Sequence, residues 1–329
     1  MTIIENDLLK HFKDRSVLCI TDSDLDGVSA HIIAREYLQP IVKYFEFEIT
    51  NDREFKDINY SLIEKKIFDL IIFVDTSPKK ELYDILLTHT KEIFIFDHHI
   101  SGRYELGDLD NYYFDPNRCG ARIFFEEITR NIRVKRVVKQ FIELVDTYDR
   151  WQDQSLLWRD AKRLHNVLMG SAVWWNKLIT NRTRFNLFIN RLLDKFQYTK
   201  TFFLSDTEKS IADDGEAKER KALDGARKTA KYRTDNDGNK YIWFECTSKI
   251  SFVANSFLKE HANQIQYCIG YSTYNKSKLS LSLRSIPNFD CSVLAEKYGG
   301  GGHKNASGVD LTNNKEFFDK LRLGEAHLV

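Results

Sequence analysis

Short apolar runs alternate with amphipathic segments along the first part of the chain. The strand candidates are four brief runs rich in apolar residues, at 17–20, 44–49, 69–74 and 92–96. Helical spacing of apolar residues lies between them, at 28–38, 53–66 and 79–87. Continuous apolar strands separated by helices indicate a parallel sheet with both faces covered.

The second half of the chain predicts a helical region followed by another α/β unit. Residues 117–231 have a mostly helical pattern, and 204–233 predicts a solvated connecting helix that breaks near Asp214 and Gly215. Beyond a turn signal, strands are predicted at 265–271 and 279–284, and helices at 252–261 and 291–298. We therefore predict an α/β protein with a mostly parallel-sheet domain and helical extension at 1–195, a helical linker at 196–235 and a smaller α/β domain at 236–329.

Composition narrows the class of protein. Hydrophobic residues make up 42% of the 329 residues and charged residues 29%, as in ordinary globular proteins. A formal net charge of +1 excludes a broad basic surface, so nucleic-acid binding is expected to be local or limited to short substrates. Five scattered cysteines, a charged N-terminal stretch and the lack of any apolar run of ~20 residues predict a cytoplasmic protein with no membrane span.

The first strand ends in a burst of carboxylates. Residues 22–27 read D-S-D-L-D-G, which matches the first half of a calcium-binding EF-hand loop. The twelfth loop position would be Ile33, which cannot bind a metal, and a strand rather than a helix precedes the loop. The motif is therefore not a calcium loop, and Asp22, Asp24 and Asp26 become candidates for another metal.

Two more predicted strands deliver polar groups at the same edge of the sheet. Asp75 follows the third strand, and Asp97, His98 and His99 follow the fourth. A single acid at a strand end is commonly a turn or capping residue, but three such ends favour a metal site. Aspartate and histidine together suit Mn²⁺, Mg²⁺ or Zn²⁺.

A helical carboxylate adds to this set. Asp146 lies four residues after Ile142 and eight after Val138, on the apolar face of the helix predicted there. A buried charge needs a partner. An ion pair with an arginine such as Arg150 and a role as metal ligand both satisfy that need, and the neighbouring acid clusters favour the metal ligand.

A run of four glycines, residues 299–302, precedes His303 near the C-terminus. Because four glycines are costly to order, the run is expected to let a backbone approach another group closely, although a flexible linker has the same composition. Arg284 and Ser285 end a predicted strand upstream. An arginine, a histidine and free backbone N–H groups together suit a phosphate oxygen.

This set of motifs resembles the DHH/DHHA1 phosphoesterases over nearly the whole chain. The shared motifs are D-x-D-x-D-G, a strand-end aspartate, D-H-H, a helical aspartate, S-L-R-S and G-G-G-G-H-x-x-A-S-G. The stretches "LVDTYDRW" and "SLRSIPNFDCSVLAEKYGGGGHKNASG" look most like the nanoRNase B (oligoribonuclease) branch. RecJ-type exonucleases are also similar, but they usually carry an extra oligonucleotide-binding domain for which no stretch is left over here.

The resemblance implies a site with two Mn²⁺ ions, or Mg²⁺ in their place. Its metal ligands would be Asp22, Asp24, Asp26, Asp75, His98 and Asp146, with Asp75 bridging both ions. Asp97 would orient His98 from behind. The substrate phosphate would be held by His99, Arg284, Ser285, Gly300, Gly301, Gly302 and His303. The residues acting directly in catalysis would be Asp75, His98, His99 and His303.

The implied activity is hydrolysis of short single-stranded RNA or DNA to mononucleotides by an activated water. Arg118 and Arg122, which follow the D-H-H loop, are further candidates for substrate contacts. RecJ-like cleavage of single-stranded DNA, cyclic (di)nucleotide hydrolysis and a catalytically silent nucleotide-binding protein remain alternatives. The sequence leaves homodimer formation open and predicts no membrane partner.

Overall fold

The computed structural model of the chain describes residues 7–50, 63–64, 68–171, 181–273 and 279–328, without the side chains of 181–184 and 303. Most of the helix predicted over 53–66 therefore lies outside the described residues. The chain divides into two compact units, Met1–Gly215 and Glu216–Val329. Among the described helices, none is long and apolar enough to cross a membrane.

The first unit is built on a parallel sheet. Its described strands are β1 (Ser16–Asp22), β2 (Tyr44–Thr50), β3 (Phe68–Val74), β4 (Thr90–Asp97) and β5 (Tyr112–Phe114). They lie in the order β2-β1-β3-β4-β5, and every neighbouring pair is parallel. The four predicted strands are confirmed. The fifth has only three residues, too few to show a pattern.

Both faces of this sheet are buried, as predicted. Val17 and Cys19 of β1 belong to one apolar cluster, and the alternating Leu18 and Ile20 belong to another on the opposite face. Period-two alternation in a strand sends successive side chains to opposite faces, so a strand covered on both sides must be apolar throughout. The α/β class of the first unit is thereby confirmed.

Helices cover the sheet and form the extension. Their bounds are α1 (Leu8–Phe12), α2 (Leu25–Tyr37), α3 (Lys80–Leu87), α4 (Ile100–Leu106), α5 (Gly120–Ile128), α6 (Arg136–Asp149), α7 (Trp158–Gly170), α8 (Asn181–Tyr198) and α9 (Asp206–Arg227). The helical region predicted for 117–231 is thus confirmed over the described residues. The break expected near Asp214 and Gly215 is wrong, because α9 runs through both. Gly215 instead allows close contact with α7: a Cβ there would lie 2.7 Å from Asn166 Cβ.

The second unit contains a mixed sheet in the order β10-β11-β9-β8-β7-β6. Its strands are β6 (Lys231–Thr234), β7 (Lys240–Cys246), β8 (Tyr267–Ser272), β9 (Ser280–Ser285), β10 (Gly301–His303) and β11 (Ala306–Asp310). Its helices are α10 (Ile250–Glu260), α11 (Cys291–Glu296) and α12 (Lys315–Leu323). β7 and β8 are parallel, and the other neighbouring pairs are antiparallel. The predicted smaller α/β unit is confirmed. The boundary between the two units lies inside α9, and a separate linker at 196–235 stays a prediction.

Two glycines of α9 offer a matched test of this packing. Gly225 has no atom within 4 Å of the place where a Cβ would stand, whereas Gly215 faces Asn166. We expect Gly225→Ala to stabilise the chain by about 0.5–1 kcal/mol, because alanine loses less conformational entropy in a helix. Gly215→Ala should destabilise it by about 1–3 kcal/mol through overpacking. Thermal unfolding followed by circular dichroism measures both, and equal shifts for the two variants would contradict the close contact.

Candidate active site

The acids named from the sequence gather at the carboxyl ends of the central strands. Asp22 ends β1, Asp75 directly follows β3, and Asp97 ends β4. The strand order changes direction between β1 and β3, and open α/β sheets bind ligands outside the carboxyl ends of the strands at such a switch point. The topology therefore brings Asp22 and Asp75 to the position where a ligand is expected.

The D-S-D-L-D-G segment joins β1 to α2. Asp24 is the N-cap of α2, and its side chain accepts a hydrogen bond from the Gly27 N–H (3.1 Å). A Cβ on Gly27 would stand 2.2 Å from the Asp22 carbonyl oxygen, so only glycine lets the helix begin this close to the strand. Burial, together with the charge of Asp24, raises the pKa of Asp22 to about 6.

Asp26 is fully buried and lies at the N-terminus of another helix, α5. Its two carboxylate oxygens accept hydrogen bonds from the N–H groups of Gly120 (2.6 Å) and Ala121 (2.8 Å) at the start of α5. Helix N-termini favour negative charge, which offsets part of the cost of burying this carboxylate. Gly120 is required for the approach, because a Cβ there would lie 2.7 Å from Asp75 Cα.

Asp75 occupies a strained and buried position. Its φ of 61° is in the left-handed region, and its N–H donates to the Phe96 carbonyl oxygen (2.9 Å). Its Oδ1 lies 3.3 Å from Nε2 of His98, and its Oδ2 is buried with no hydrogen-bond partner among the described residues. Burial, followed by the charges of Asp26 and Asp24, raises its pKa well above the usual value. A cation beside Asp75 would stabilise its charged form.

The D-H-H segment is held together by the first of its residues. Oδ1 of Asp97 accepts hydrogen bonds from the His98 N–H (2.8 Å) and the His99 N–H (3.1 Å) and lies 2.7 Å from Nδ1 of His99. Oδ2 of Asp97 accepts from the Ser77 hydroxyl. Asp97 thus holds His98 through the backbone and orients the ring of His99.

Asp97 and His99 form a charged pair. Burial opposes the charge of Asp97, but the His99 charge and the hydrogen bonds from His99 and Ser77 outweigh it and lower the pKa of Asp97 to about 2. Burial also opposes the charge of His99, but Asp97 outweighs it and raises the pKa of His99 to about 9. His99 is therefore a cation at neutral pH at the edge of an acidic cluster.

Asp149, which sequence reasoning missed, lies in this cluster. Its Oδ2 is 3.6 Å from Nε2 of His98, and that oxygen is buried with no hydrogen-bond partner among the described residues. Burial, followed by the charge of Asp26, raises its pKa to about 6. Asp149 stands three residues after Asp146 on α6, and that helical spacing on one face was the signal that could have identified it.

Asp146 is buried, as its place on the apolar face predicts, but its oxygens point to other partners. Oδ1 accepts from the Cys119 N–H (2.8 Å), and Oδ2 lies 2.9 Å from Nη1 of Arg122 and 3.6 Å from Nη1 of Arg150. The arginine ion pair considered for Asp146 is therefore present, chiefly with Arg122. A metal-ligand role for Asp146 stays a prediction, while the geometry around His98 offers Asp149.

The metal-binding potential of the cluster centres on His98. Two groups of side chains bring oxygen and nitrogen atoms close enough to share an ion: Asp75, Asp97, His98 and His99, and Asp26, His98 and Asp149. Asp22 and Asp24 are near enough to raise the pKa of Asp75. Buried carboxylate oxygens that lack partners, next to an imidazole, are the donor set that a hard or borderline divalent cation prefers. These residues therefore fit the metal site inferred from the sequence.

The two arginines named as substrate contacts serve ion pairs in this structure. Arg118 contacts Asp115 (2.7 Å) and Glu126 (2.6 Å), and Arg122 contacts Glu126 (2.8 Å) besides Asp146. Their side chains remain about a third exposed. A substrate contact by either arginine stays a prediction.

Two of the predicted phosphate-binding residues of the second unit, Arg284 and His303, lie in one row of its sheet. Ala306 of β11 is the register partner of both Arg284 on β9 and His303 on β10. The guanidinium of Arg284 is held by hydrogen bonds from Nη2 to Ser251 Oγ (2.7 Å) and from Nη1 to Ser282 Oγ (3.1 Å). The side chain of His303 lies outside what the structure describes.

The glycine run allows a close backbone approach, as predicted. A Cβ on Gly300 would lie 2.1 Å from the Gly308 carbonyl oxygen, and Gly302 has a φ of 140°. Gly301 pairs with Gly308 in the β10–β11 ladder, so the run forms a strand instead of a flexible linker. Ser285 donates its hydroxyl to the Phe289 carbonyl oxygen (2.7 Å), and its phosphate-binding role stays a prediction.

Known proteins resemble this chain in sequence and in fold. The chain is 21% identical over 335 residues to a 3′,5′-cyclic-nucleotide phosphodiesterase of Helicobacter pylori, covering 90% of this chain and 93% of that protein. It is 23% identical over 309 residues to oligoribonuclease NrnB of Bacillus subtilis, covering 88% and 72%. RecJ from Thermus thermophilus, solved in complex with Mn²⁺, matches with a TM-score of 0.54 and 14% identity over 97% of this chain and 53% of that one.

Family models match both units. The model of the DHH family, N-terminal domain, matches residues 16–147, which include Asp22, Asp75 and the D-H-H segment. The model of the DHHA1 domain matches residues 235–323, which include Arg284 and the glycine run. The matched ranges contain the site residues that the motifs identified, and the chain belongs to the DHH/DHHA1 family.

Proposed function

We propose that this chain, a phosphoric diester hydrolase, cleaves short single-stranded RNA or DNA to mononucleotides at the acidic cluster. The observation that carries the proposal is the group of buried acids around His98. Oδ1 of Asp75 and Oδ2 of Asp149 lie 3.3 and 3.6 Å from Nε2 of His98. Oδ2 of Asp75 and Oδ2 of Asp149 lack hydrogen-bond partners among the described residues. The relative named oligoribonuclease supports the substrate class.

Two divalent cations belong to the proposal. One ion would be held by Asp22, Asp24 and Asp75. The other ion would be held by Asp26, Asp75, His98 and Asp149. Oxygen and imidazole ligands suit Mn²⁺ or Mg²⁺, and the RecJ structure that shares this fold contains Mn²⁺. When bound, such ions activate water as a nucleophile and neutralise charge on the phosphate.

The chain itself supplies positive charge for the substrate. His99, kept protonated by Asp97, would donate a hydrogen bond to a phosphate oxygen. Arg284 and His303 are proposed as further phosphate-binding residues. Ser285 and the backbone of Gly300, Gly301 and Gly302 would add contacts. A net charge of +1 on the chain fits a substrate bound through few phosphates.

A second candidate is hydrolysis of a 3′,5′-cyclic nucleotide. The relative that carries this name aligns with 90% of this chain and 93% of its own length. The same acidic cluster would act on a cyclic or a linear phosphodiester. A catalytically silent binding protein is disfavoured, because every acid of the family motif is present.

A cytoplasmic location is part of the same proposal. The five cysteines all lie in the described part of the chain, where each is a buried free thiol. Reduced thiols are typical of the cytosol. Homodimer formation stays a prediction.

The ligand role of Asp149 can be separated from the structural role of Asp146. We expect Asp149→Asn to lower the number of Mn²⁺ ions bound per chain from two to one and to reduce hydrolysis by at least about a hundredfold. Asp146→Asn keeps an acceptor for the Cys119 N–H and loses only the arginine ion pair, so it should still bind two ions. Isothermal titration with Mn²⁺ measures the stoichiometry.

The opposite result would be one bound ion in Asp146→Asn and two in Asp149→Asn. It would show that Asp146, and not Asp149, is the metal ligand. Circular dichroism of both variants shows that each is folded. Because asparagine and aspartate have nearly the same shape, any difference reports charge and ligation.

The substrate class is tested with end-labelled RNA and DNA of two to about twenty nucleotides and with 3′,5′-cyclic AMP, each in the presence of Mn²⁺. We expect rapid cleavage of the shortest linear oligonucleotides, because a compact site with few cations cannot bind many phosphates. Asp75→Asn is the control, since asparagine tolerates the left-handed backbone of this position.

Three outcomes divide the candidates. Cleavage limited to the shortest oligomers and lost in Asp75→Asn supports the proposal. Progressive degradation of the longest single-stranded DNA indicates a RecJ-like exonuclease. Cleavage of the cyclic nucleotide alone would contradict the proposed linear substrate and support hydrolysis of a 3′,5′-cyclic nucleotide.

A further inference from the structure

Four aromatic side chains pack together around the end of α6. They are Tyr148, Trp151, Trp158 and His165, and all four are partly exposed. The Tyr148 ring stacks on His165 (centroids 4.2 Å apart, planes 15° apart) and on Trp158 (5.8 Å, 8°). Trp158 and His165 are two turns apart on α7, or about 10.5 Å, so Tyr148 fits between them.

Trp151 stands against this stack in an unusual backbone conformation. Its ring is inclined by 61° to Trp158 at 4.9 Å and by 53° to Tyr148 at 5.8 Å. Neither of these contacts is a parallel stack of the Trp151 ring on its neighbour. Its φ of 51° is in the left-handed region, which bulky residues rarely adopt. Backbone strain of this kind is typical of ligand-binding and active sites.

Trp151 is close along the chain to the acidic cluster. Trp151 follows Asp149 by two residues, so their Cα atoms are at most about 7.6 Å apart. The chain makes a tight turn after α6. The Trp151 N–H donates to the Tyr148 carbonyl oxygen (3.0 Å), and the Gln152 N–H donates to the Thr147 carbonyl oxygen (2.9 Å). A partly exposed aromatic residue thus lies two positions along the chain from an acid proposed to act on a phosphodiester.

We propose that Trp151, braced by Trp158 and Tyr148, stacks on a nucleobase next to the scissile phosphate. The inference rests on the proposed function and adds a specificity-determining residue to it. Stacking is open to every base, because each has a π-face. It also supplies affinity that does not depend on the number of phosphates, which a substrate of two or three nucleotides needs.

The test compares Trp151→Leu with Trp151→Phe. Both variants keep an apolar side chain in the same strained backbone, and only phenylalanine keeps a ring. The substrates are a dinucleotide and an abasic dinucleotide with the same phosphodiester. Leu156→Ala is the matched control, because Leu156 lies in the same loop and is fully exposed.

We expect the ratio of kcat/KM for the dinucleotide over the abasic dinucleotide to fall about tenfold or more in Trp151→Leu, mainly through KM. Trp151→Phe should restore most of that ratio, and Leu156→Ala should keep the wild-type value. If the aromatic cluster only joins α6 to α7, Trp151→Leu lowers both kcat/KM values equally and leaves the ratio unchanged, which overturns the inference.

A binding measurement keeps this test separate from that of the hydrolytic activity. Titration of the wild-type chain with AMP and with ribose 5-phosphate compares the same phosphate with and without a base. Tighter binding of AMP that weakens in Trp151→Leu supports stacking even if no substrate is hydrolysed. Equal affinities for AMP and ribose 5-phosphate in the wild-type chain overturn the inference while leaving hydrolysis standing.

Discussion

Repulsion among carboxylates at the carboxyl edge of the parallel sheet is the constraint that shapes the first unit. The pKa values of Asp22 and Asp149 rise to about 6, and that of Asp75 rises well above its usual value, because burial and neighbouring acids oppose their charges. Buried like charges are unfavourable unless cations or hydrogen-bond donors offset them. A cation bound among these acids would therefore stabilise their charged forms.

The backbone supplies part of that compensation. The start of α5 directs the Gly120 and Ala121 N–H groups at Asp26 and the Cys119 N–H at Asp146. These donors stabilise two of the acids, and the glycine at position 120 lets the helix come near enough to give them. Oδ2 of Asp75 and Oδ2 of Asp149 have no such donors among the described residues, so a bound cation would compensate their charges.

In the second unit, neighbouring polar groups position the cationic side chain of Arg284. Arg284 is held by two serine hydroxyls and a backbone carbonyl, which restrict the freedom of its guanidinium. Gly301 and Gly302 of the glycine run belong to the short strand β10, and a Cβ on Gly300 or Gly302 would come within 2.5 Å of a backbone oxygen. The aromatic cluster after α6 adds a partly exposed aromatic surface to the first unit.

The sequence alone determined the α/β class, four of the five strands of the first sheet, and the acids at their ends. Those features follow from local rules: apolar strands are continuous when both faces are buried, and parallel strands share one carboxyl edge. The tertiary structure alone separated Asp149 from Asp146. Asp146 and Asp149 lie on one face of the same helix. The position of the end of α6 relative to the loop after β4 decides which of the two reaches His98. It also decided that α9 continues through Gly215 and that Trp151 turns back onto Trp158. In each of these cases the deciding contact joins residues far apart in the chain or in an irregular turn, where no periodic pattern records it.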